Sequence, residues 1–546
     1  MGKSLIVAML GILAVFVILL RISVDPSPPV KGLSGSEIPR ASPLPAVGEG
    51  TPVPSPQPQQ RPVQKDQCCD DFPSGLPMDP SSSFILGGKL EATRVQWESL
   101  QLSSKADRYR GFIAFPLHRV NQGCVGRVLL CWDGSPSAEG AVVSRDTHLS
   151  SWMSSVAGPD AFRLSVSGGK EKVAGSSRFL ANTTLCSLAA GSTHRFGYSY
   201  IIEFAVREAG KYEIELKWEL DNNWALNEVK DTVTHFKNAY LARGTQIPGS
   251  CKGPPQQGQH ISTILRRCND TGGSGRWVRS TVEPKRGQLP AYYPWKGHEW
   301  EYRLDGCRLD SFYASPNMLL EQLQSFKARI GGRPVKLFFT GDSQVRTVFR
   351  HWVSIVSNSP ADIAKGGNLS YTDGTHSVQY IWDPYLEAIL NRSTMLAEGH
   401  YDVIVLGIGP WPSSFGQWPM KQFASRLAAV AEHLKRFVEL RLQAQDGIEP
   451  LVVWAGAPAW PKPRKMPGFR ITNSRLGTMN TIAVRRLRKG IGQLHFRHLD
   501  WFQPSLSMTH LHRGDGMHYD HSIVLYTAAS MLANIVLEAP GTASSS

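Results

Sequence analysis

Hydrophobic and polar positions change rhythm several times along this chain. Residues 5 to 20, "LIVAMLGILAVFVILL", are apolar without interruption, with Lys3 before the run and Arg21 after it. A helix over the run is about 24 Å long, which suits a thin early-secretory bilayer. No small-residue cleavage motif follows, so residues 1–23 read as an uncleaved signal anchor, with a cleaved signal peptide as the competing reading. In both readings the remainder enters the secretory lumen. Residues 24–79 include "PLPAVGEGTPVPSPQPQQRP", which cannot bury enough apolar surface to fold and reads as a disordered stem.

From 80 to 245 the period becomes two. "RVQWESL", "GRVLLCW", "FRLSVSG", "YSYIIEFAV" and "GKYEIELKWEL" alternate between apolar and polar residues and are separated by turn residues. Short alternating strands at this spacing predict a β-sandwich. Residues 246–330 form a segment rich in Cys and Trp that connects to the next domain and is assigned to it. After 331 the pattern becomes strand, helix, strand. "VKLFF", "DVIVLGI", "LVVWAG" and "LHFRHL" alternate with "SQVRTVFRHWVSIV", "KQFASRLAAVAEHLKRFVELRLQ" and "MNTIAVRRLRK". Near-continuous apolar strands between helices predict a parallel sheet covered on both faces, an α/β domain over 331–546.

The cysteines and sequons agree with a luminal compartment. The chain has 8 cysteines, all before residue 308, which predicts disulfides in the N-terminal half and leaves 308–546 to fold on packing alone. Sequons of the form N-x-S/T occur at Asn182, Asn269, Asn368 and Asn391. The net charge of +14 would suit a nucleic-acid partner, but a secretory lumen disfavours one. Between Glu449 and Asp500 there is no acidic residue, while Lys462, Arg464, Lys465, Arg470, Arg475, Arg485, Arg486, Arg488, Lys489 and Arg497 are all basic. Such a field near a cleft would favour an acidic glycan; a solvated helix face with a flexible loop is the alternative.

Candidate chemistry lies at the end of one predicted strand. "KLFFTGDSQVR" ends its apolar run in Gly341-Asp342-Ser343 and continues with helical spacing. In an open parallel sheet, reactive groups sit at the carboxyl ends of strands, and a helix start offers N–H donors to a developing anion. Asp342 or Ser343 as a plain helix cap is the competing reading. A base for the serine is available in "DGMHYDH", where Asp515 and His518 are three residues apart ahead of a helix expected to be amphipathic. That spacing lets the carboxylate hold one imidazole nitrogen and leaves the other free for a serine proton. A zinc site from His510, His512, His518 and His521 is disfavoured, since no cysteine occurs in this half, and no metal is expected.

Four blocks in order carry a resemblance. "CNDTGGSGRWV", "EWEYRLDGCRLDSF", "FTGDSQVR" and "DGMH" resemble the PC-esterase group of SGNH/GDSL-type enzymes. That group includes the trichome-birefringence-like polysaccharide O-acetyltransferases and the neurexophilin-and-PC-esterase proteins. The likeness spans roughly residues 250 to 540, and more loosely 80 to 245, where neurexophilin-type members carry an immunoglobulin-like domain. It implies an SGNH-like three-layer catalytic domain with Ser343 as nucleophile, His518 as general base and Asp515 as its orienting acid. Arg346 matches an arginine of the group and would serve the oxyanion or substrate. One block departs from the wider superfamily: "VLGIGPWP" has no asparagine, so backbone N–H groups of Ser343 and Gly409, or Arg346, would have to form the oxyanion hole. Trp411 in that loop is a candidate for stacking on a sugar.

The sequence thus predicts a single-pass type II Golgi membrane protein, or in the alternative a secreted one, that transfers an acyl group, foremost acetyl, to glycan hydroxyls. It needs an acyl donor and no bound cofactor. An esterase of the same fold and a catalytically silent glycan-binding protein are the alternatives.

Overall fold

The computed structural model describes residues 112–117, 124–132, 161–180, 186, 199–206, 212–220 and 236–246. In 265–539 it describes all but 281–296, 313–315, 360–366, 392–399, 444–448, 462–470, 513–514 and 516. The expected anchor, the stem, the strand "RVQWESL", Asn182, Cys68, Cys69 and Cys251 lie outside the described residues. Among the described residues no helix is long and apolar enough to cross a membrane.

The chain from 112 to 246 forms β1 (Phe112–Leu117), β2 (Cys124–Trp132), β3 (Ala161–Gly168), β4 (Glu171–Ala174), β5 (Ser176–Leu180), β6 (Ser199–Val206), β7 (Tyr212–Leu220) and β8 (Phe236–Gln246), of which β2, β3, β6 and β7 correspond to alternating segments read from the sequence. β9 (Gly275–Arg279) and β10 (Trp300–Leu304) follow. They build two antiparallel sheets, ordered β1-β2-β6-β5 and β10-β9-β4-β3-β7-β8. Leu130, Tyr200 and Ile202 of the first sheet meet Phe162, Leu164, Val166 and Ile214 of the second in one core, with Phe162 edge-on to Tyr200 at 4.7 Å. This is a two-sheet sandwich. Cys131–Cys186 closes it as a disulfide. The last two strands of the second sheet come from the connecting segment, and their Trp277, Trp300 and Tyr302 point into the core of the α/β region. That segment therefore belongs to both bodies. A second disulfide, Cys268–Cys307, lies within it, and Cys268 is fully buried in the α/β core.

The remaining chain runs α1 (Pro316–Arg329), β11 (Val335–Gly341), α2 (Ser343–Ser357), β12 (Asn368–Thr372), β13 (His376–Trp382), α3 (Glu387–Asn391), β14 (Val403–Gly407), α4 (Pro410–Ser414) and α5 (Met420–Gln443). It continues through β15 (Leu451–Ala455), α6 (Asn473–Ile491), β16 (Phe496–Leu499), α7 (Phe502–Leu506) and α8 (Ile523–Leu537). The sheet order is β12-β13-β11-β14-β15-β16. All pairs from β13 to β16 are parallel, and only the edge strand β12 is antiparallel. This is a mixed α/β fold with a parallel sheet between helical layers. Period two sorts each strand between the layers. Leu337, Phe339, Val405 and Val453 face one core with Phe326, Val348 and Leu532 of α1, α2 and α8. Phe338, Ile404, Leu406 and Trp454 face the other with Phe423, Leu434 and Leu487 of α5 and α6.

Two elements depart from the sequence expectation. β12 and β13 form a hairpin whose Asp373 Oδ1 accepts from the N–H of Thr375 and His376 at 2.6 and 2.9 Å, an Asx turn within "TDGT". Their mixed composition hid a strand central to the sheet. The helix after His518 is not amphipathic: every residue of α8 is buried, because it packs among α2, α1, β16 and β10 rather than at the surface.

Candidate active site

β11 delivers the serine. Gly341 ends the strand with φ +147°, and a Cβ there would stand 2.1 Å from the carbonyl oxygen of Gly407 on the neighbouring strand, so only glycine fits. The chain then turns at Asp342, whose Oδ1 caps α2 by accepting from the N–H of Gln344 at 2.9 Å. The turn is held from below. Tyr380 Oη donates to the carbonyls of Gly341 and Asp342 at 3.1 and 3.3 Å. Asp342 is therefore the cap, and Ser343 is free to act as the first helical residue.

The C-terminal loop brings His518 to it. His518 Nε2 lies 2.9 Å from Ser343 Oγ across 175 residues of sequence. His518 Nδ1 lies 2.7 Å from Asp515 Oδ2. The other oxygen, Asp515 Oδ1, accepts from the N–H of Met517 at 2.8 Å and of His518 at 3.1 Å. Partial burial pushes the Asp515 carboxyl up, but the His518 ring and these two N–H donors outweigh it and hold the group at about 2. Asp515 is thus a carboxylate at every pH of interest. Three anchors seat the loop. Gln344 Nε2 donates to the Met517 carbonyl at 3.1 Å, Met517 packs on a small cluster with Ala457, Ile471 and Leu476, and Tyr519 Oη donates to the Ala459 carbonyl at 2.8 Å.

Asp342 is itself perturbed. It is 1% exposed, and burial pushes its carboxyl up to about 6, against the N–H of Gln344, the His518 ring and the N–H groups of Gly409 and Val345. Its Oδ2 accepts no hydrogen bond of ordinary geometry. Gly409 precedes α4, and a Cβ on it would come within 2.7 Å of Ala457 Cβ.

Arg346 and Trp411, far apart in sequence, join one aromatic wall. The Arg346 guanidinium lies over the Trp382 ring at 5.2 Å, Trp382 meets Trp411 edge-on at 5.3 Å, and Trp411 meets Phe415 at 4.4 Å with their planes tilted by 33°. The histidines considered for zinc do not converge, and no three of His, Cys, Asp or Glu do so among the described residues. His351, on α2, is fully buried and held at about 4 by that burial, so it is neutral; its Nδ1 faces the Thr347 carbonyl at 2.9 Å.

Among the described residues the basic run does not form a patch at this crevice. Arg475 is fully buried and donates to the Trp418 carbonyl; Arg488 pairs with Asp270 at 3.2 Å; Arg497 Nη1 donates to the carbonyls of Gln493, Leu494 and Phe496. α6 starts at the carboxyl end of the sheet and runs away from it, so Arg485, Arg486 and Lys489 lie about 18–24 Å further along the axis. Lys462, Arg464, Lys465 and Arg470 lie outside the described residues. Asn269, Asn368 and Asn391 are exposed.

Residues that the sequence did not single out include Gln344, Tyr380, Trp382 and Tyr519. Gln344, beside Ser343, and Tyr519, beside His518, carried a signal by adjacency alone.

No family model matches the chain. A curated relative, the N-acetylneuraminate (7)9-O-acetyltransferase of Danio rerio, is 23% identical over 224 residues, 39% of this chain; the chain spans 27% of that relative's length. Among solved structures, a DUF4886 family protein from Bacteroides uniformis aligns with 39% of this chain and 88% of its own at 15% identity and TM-score 0.23. Axe2, an acetylxylan esterase from Geobacillus stearothermophilus, aligns with 37% of this chain and 94% of its own at 12% identity and TM-score 0.22.

Proposed function

We propose that this chain is an O-acyltransferase, specifically an O-acetyltransferase, that acts on glycan hydroxyls in the secretory pathway through an acyl-enzyme at Ser343. The observation that carries the reading is the relay from Ser343 Oγ through His518 to Asp515, at 2.9 and 2.7 Å, at the carboxyl end of a parallel sheet. The name of the Danio rerio relative supports the same chemistry. The SGNH assignment, the immunoglobulin-like reading of the sandwich, the signal anchor and the Golgi location belong to the proposal.

In the first step Ser343 Oγ attacks the acyl carbon while its proton passes to His518 Nε2, and Asp515 stabilises the imidazolium through Nδ1–H. The oxyanion forms beside the start of α2, where the N–H groups of Ser343 and Gly409 are the proposed donors. His518 then protonates the leaving group, and the donor's acyl bond breaks. In the second step His518 takes the proton of a sugar hydroxyl, whose oxygen attacks the acyl carbon; the Ser343 Oγ–acyl bond breaks, His518 returns the proton to Ser343 Oγ, and the acetylated sugar leaves. Water in that place gives hydrolysis.

Intact mass after incubation with an activated acetyl ester tests the first step. One acetyl on the wild-type chain and none on Ser343→Ala is expected; acetylation that persists at a site needed for turnover would sink the assignment. The share of acetyl captured by added oligosaccharide rather than water tests the second.

A further inference from the structure

Arg346 stands apart from the other well-held arginines. Arg163, Arg267, Arg276, Arg333 and Arg488 each pair with a carboxylate. Among the described residues no carboxylate pairs with Arg346, and its Nε is buried without a hydrogen-bond partner. Nε is out of reach of an arriving group, so recognition falls to the Nη end of the guanidinium. The guanidinium is oriented by lying over Trp382, which leaves its planar fork as the recognising edge.

The wall beside it is placed by the sheet. Trp382 aligns with Gly341 on one neighbouring strand, while Gly407, four residues before Trp411, aligns with Gly341 on the other. Trp382 and Trp411 therefore meet across the end of β11, next to the turn that carries Ser343. Phe415 continues the wall and is 60% exposed, whereas Trp382 and Trp411 are half-buried. An aromatic face open to water beside a reactive serine suits the apolar face of a pyranose ring. An oriented guanidinium in an aromatic setting suits a planar anion on that ring, a carboxylate, which its fork can hold by two hydrogen bonds.

We infer that Arg346, Trp382, Trp411 and Phe415 form the acceptor subsite, and that it takes a sugar bearing a carboxylate, with the carboxylate on Arg346 and the ring along Phe415. The inference rests on the acyl-transfer reading and adds the charge of the acceptor and the residue that reads it.

The test offers the full luminal chain an activated acetyl ester together with sialylated, uronate-containing and neutral oligosaccharides. Each acidic one is supplied with its carboxylates free and as methyl esters. The free acid is expected to exceed its methyl ester in kcat/KM by about 10- to 100-fold, the worth of a charge-assisted pair. Arg346→Gln should collapse that ratio to near one, and Phe415→Ala should raise KM for both forms together. Equal use of acid and ester by the wild-type chain overturns the subsite without any variant, so a misfolded Arg346→Gln leaves the test intact. An Arg346→Gln that slows both forms equally also overturns it. Acetylation of Ser343 with transfer to no sugar is a different result: it removes the transferase reading, and the subsite with it.

Discussion

Asp515→Asn separates a catalytic unit from a chance cluster, because the structure dictates which way the amide must turn. Asp515 Oδ1 accepts from two backbone donors, Met517 N–H and His518 N–H. An asparagine must keep its carbonyl oxygen there, since an NH2 group would leave two buried donors facing a third. Its NH2 then faces His518 Nδ1, which becomes the acceptor, and the ring proton moves to Nε2. In that tautomer Nε2–H points at Ser343 Oγ and cannot take its proton. The equivalent change in a serine-protease triad lowers kcat by about 10⁴; we expect about 10³ to 10⁴ here, or about 4 to 5.5 kcal/mol of transition-state stabilisation. The cap bonds survive, so the thermal midpoint should move by no more than about 4 °C. Release of p-nitrophenol from p-nitrophenyl acetate, with intact mass to follow Ser343 acetylation, reads both steps. A loss below tenfold, with the fold intact, would show that Asp515 does not set the tautomer and that His518 is not the base.

The Asp342 carboxyl, raised to about 6 from its ordinary 3.8, contributes stability that is fully present below 3.8 and lost as pH rises through 6. Stability should therefore move in favour of Asp342→Asn by up to about 3 kcal/mol between pH 4 and pH 7.5 in denaturant titrations, and a constant difference would count against a buried, proton-binding carboxyl. Removing the Cys268–Cys307 disulfide by substituting both with Ser should cost about 2 to 4 kcal/mol. Because Cys268 lies in the α/β core, hydrogen exchange should rise in β11 and α8 as well as in β9 and β10; a change confined to the connecting segment would refute the shared core. Neutralising Arg485, Arg486 and Arg488 together should leave KM for an acidic acceptor within about twofold, since α6 carries them away from the crevice; an increase comparable to that of Arg346→Gln would restore the basic run as the substrate field.

Period and punctuation made much of the fold legible. The four apolar strands that the sequence marks correspond to β11, β14, β15 and β16, since a strand buried on both faces leaves a run that little else imitates. β13 was hidden because only alternate residues face a core, and Ser377 and Gln379 broke the run. Asp515 and His518 were legible through spacing, and Ser343 through the abrupt end of a strand. Tyr380 and Gln344 were not, because each acts through a main-chain carbonyl that only the folded chain brings near. For part of the charge run the direction of α6 decides which end of the sheet it faces: Arg485, Arg486, Arg488 and Lys489 lie away from the carboxyl end, which a sequence alone does not show.

The sandwich is joined to the loop that carries the base. Arg163, on β3, donates to Thr509 Oγ1 at 2.7 Å and pairs with Glu219 of β7 at 3.1 Å. Glu219 in turn accepts from Asn473 Nδ2 at the start of α6, at 3.3 Å. Burial raises the Glu219 carboxyl, and Arg163, Asn473 and Lys217 oppose that shift, so the ionised form depends on partners from both bodies. Trp277 Nε1, from the strand that the connecting segment lends to the sandwich, donates to the Pro504 carbonyl at 2.8 Å. Pro504, Thr509 and Tyr519 lie on the path that leads from β16 to His518 and on to α8. That path includes only short helices, which have little intrinsic stability, so its geometry must be set by what it packs against. On one side that is the nucleophile turn, through Gln344. On the other it is the sandwich. The relay from Ser343 through His518 to Asp515, at 2.9 and 2.7 Å, thus lies between two supports, the turn of Ser343 on one side and the sandwich on the other.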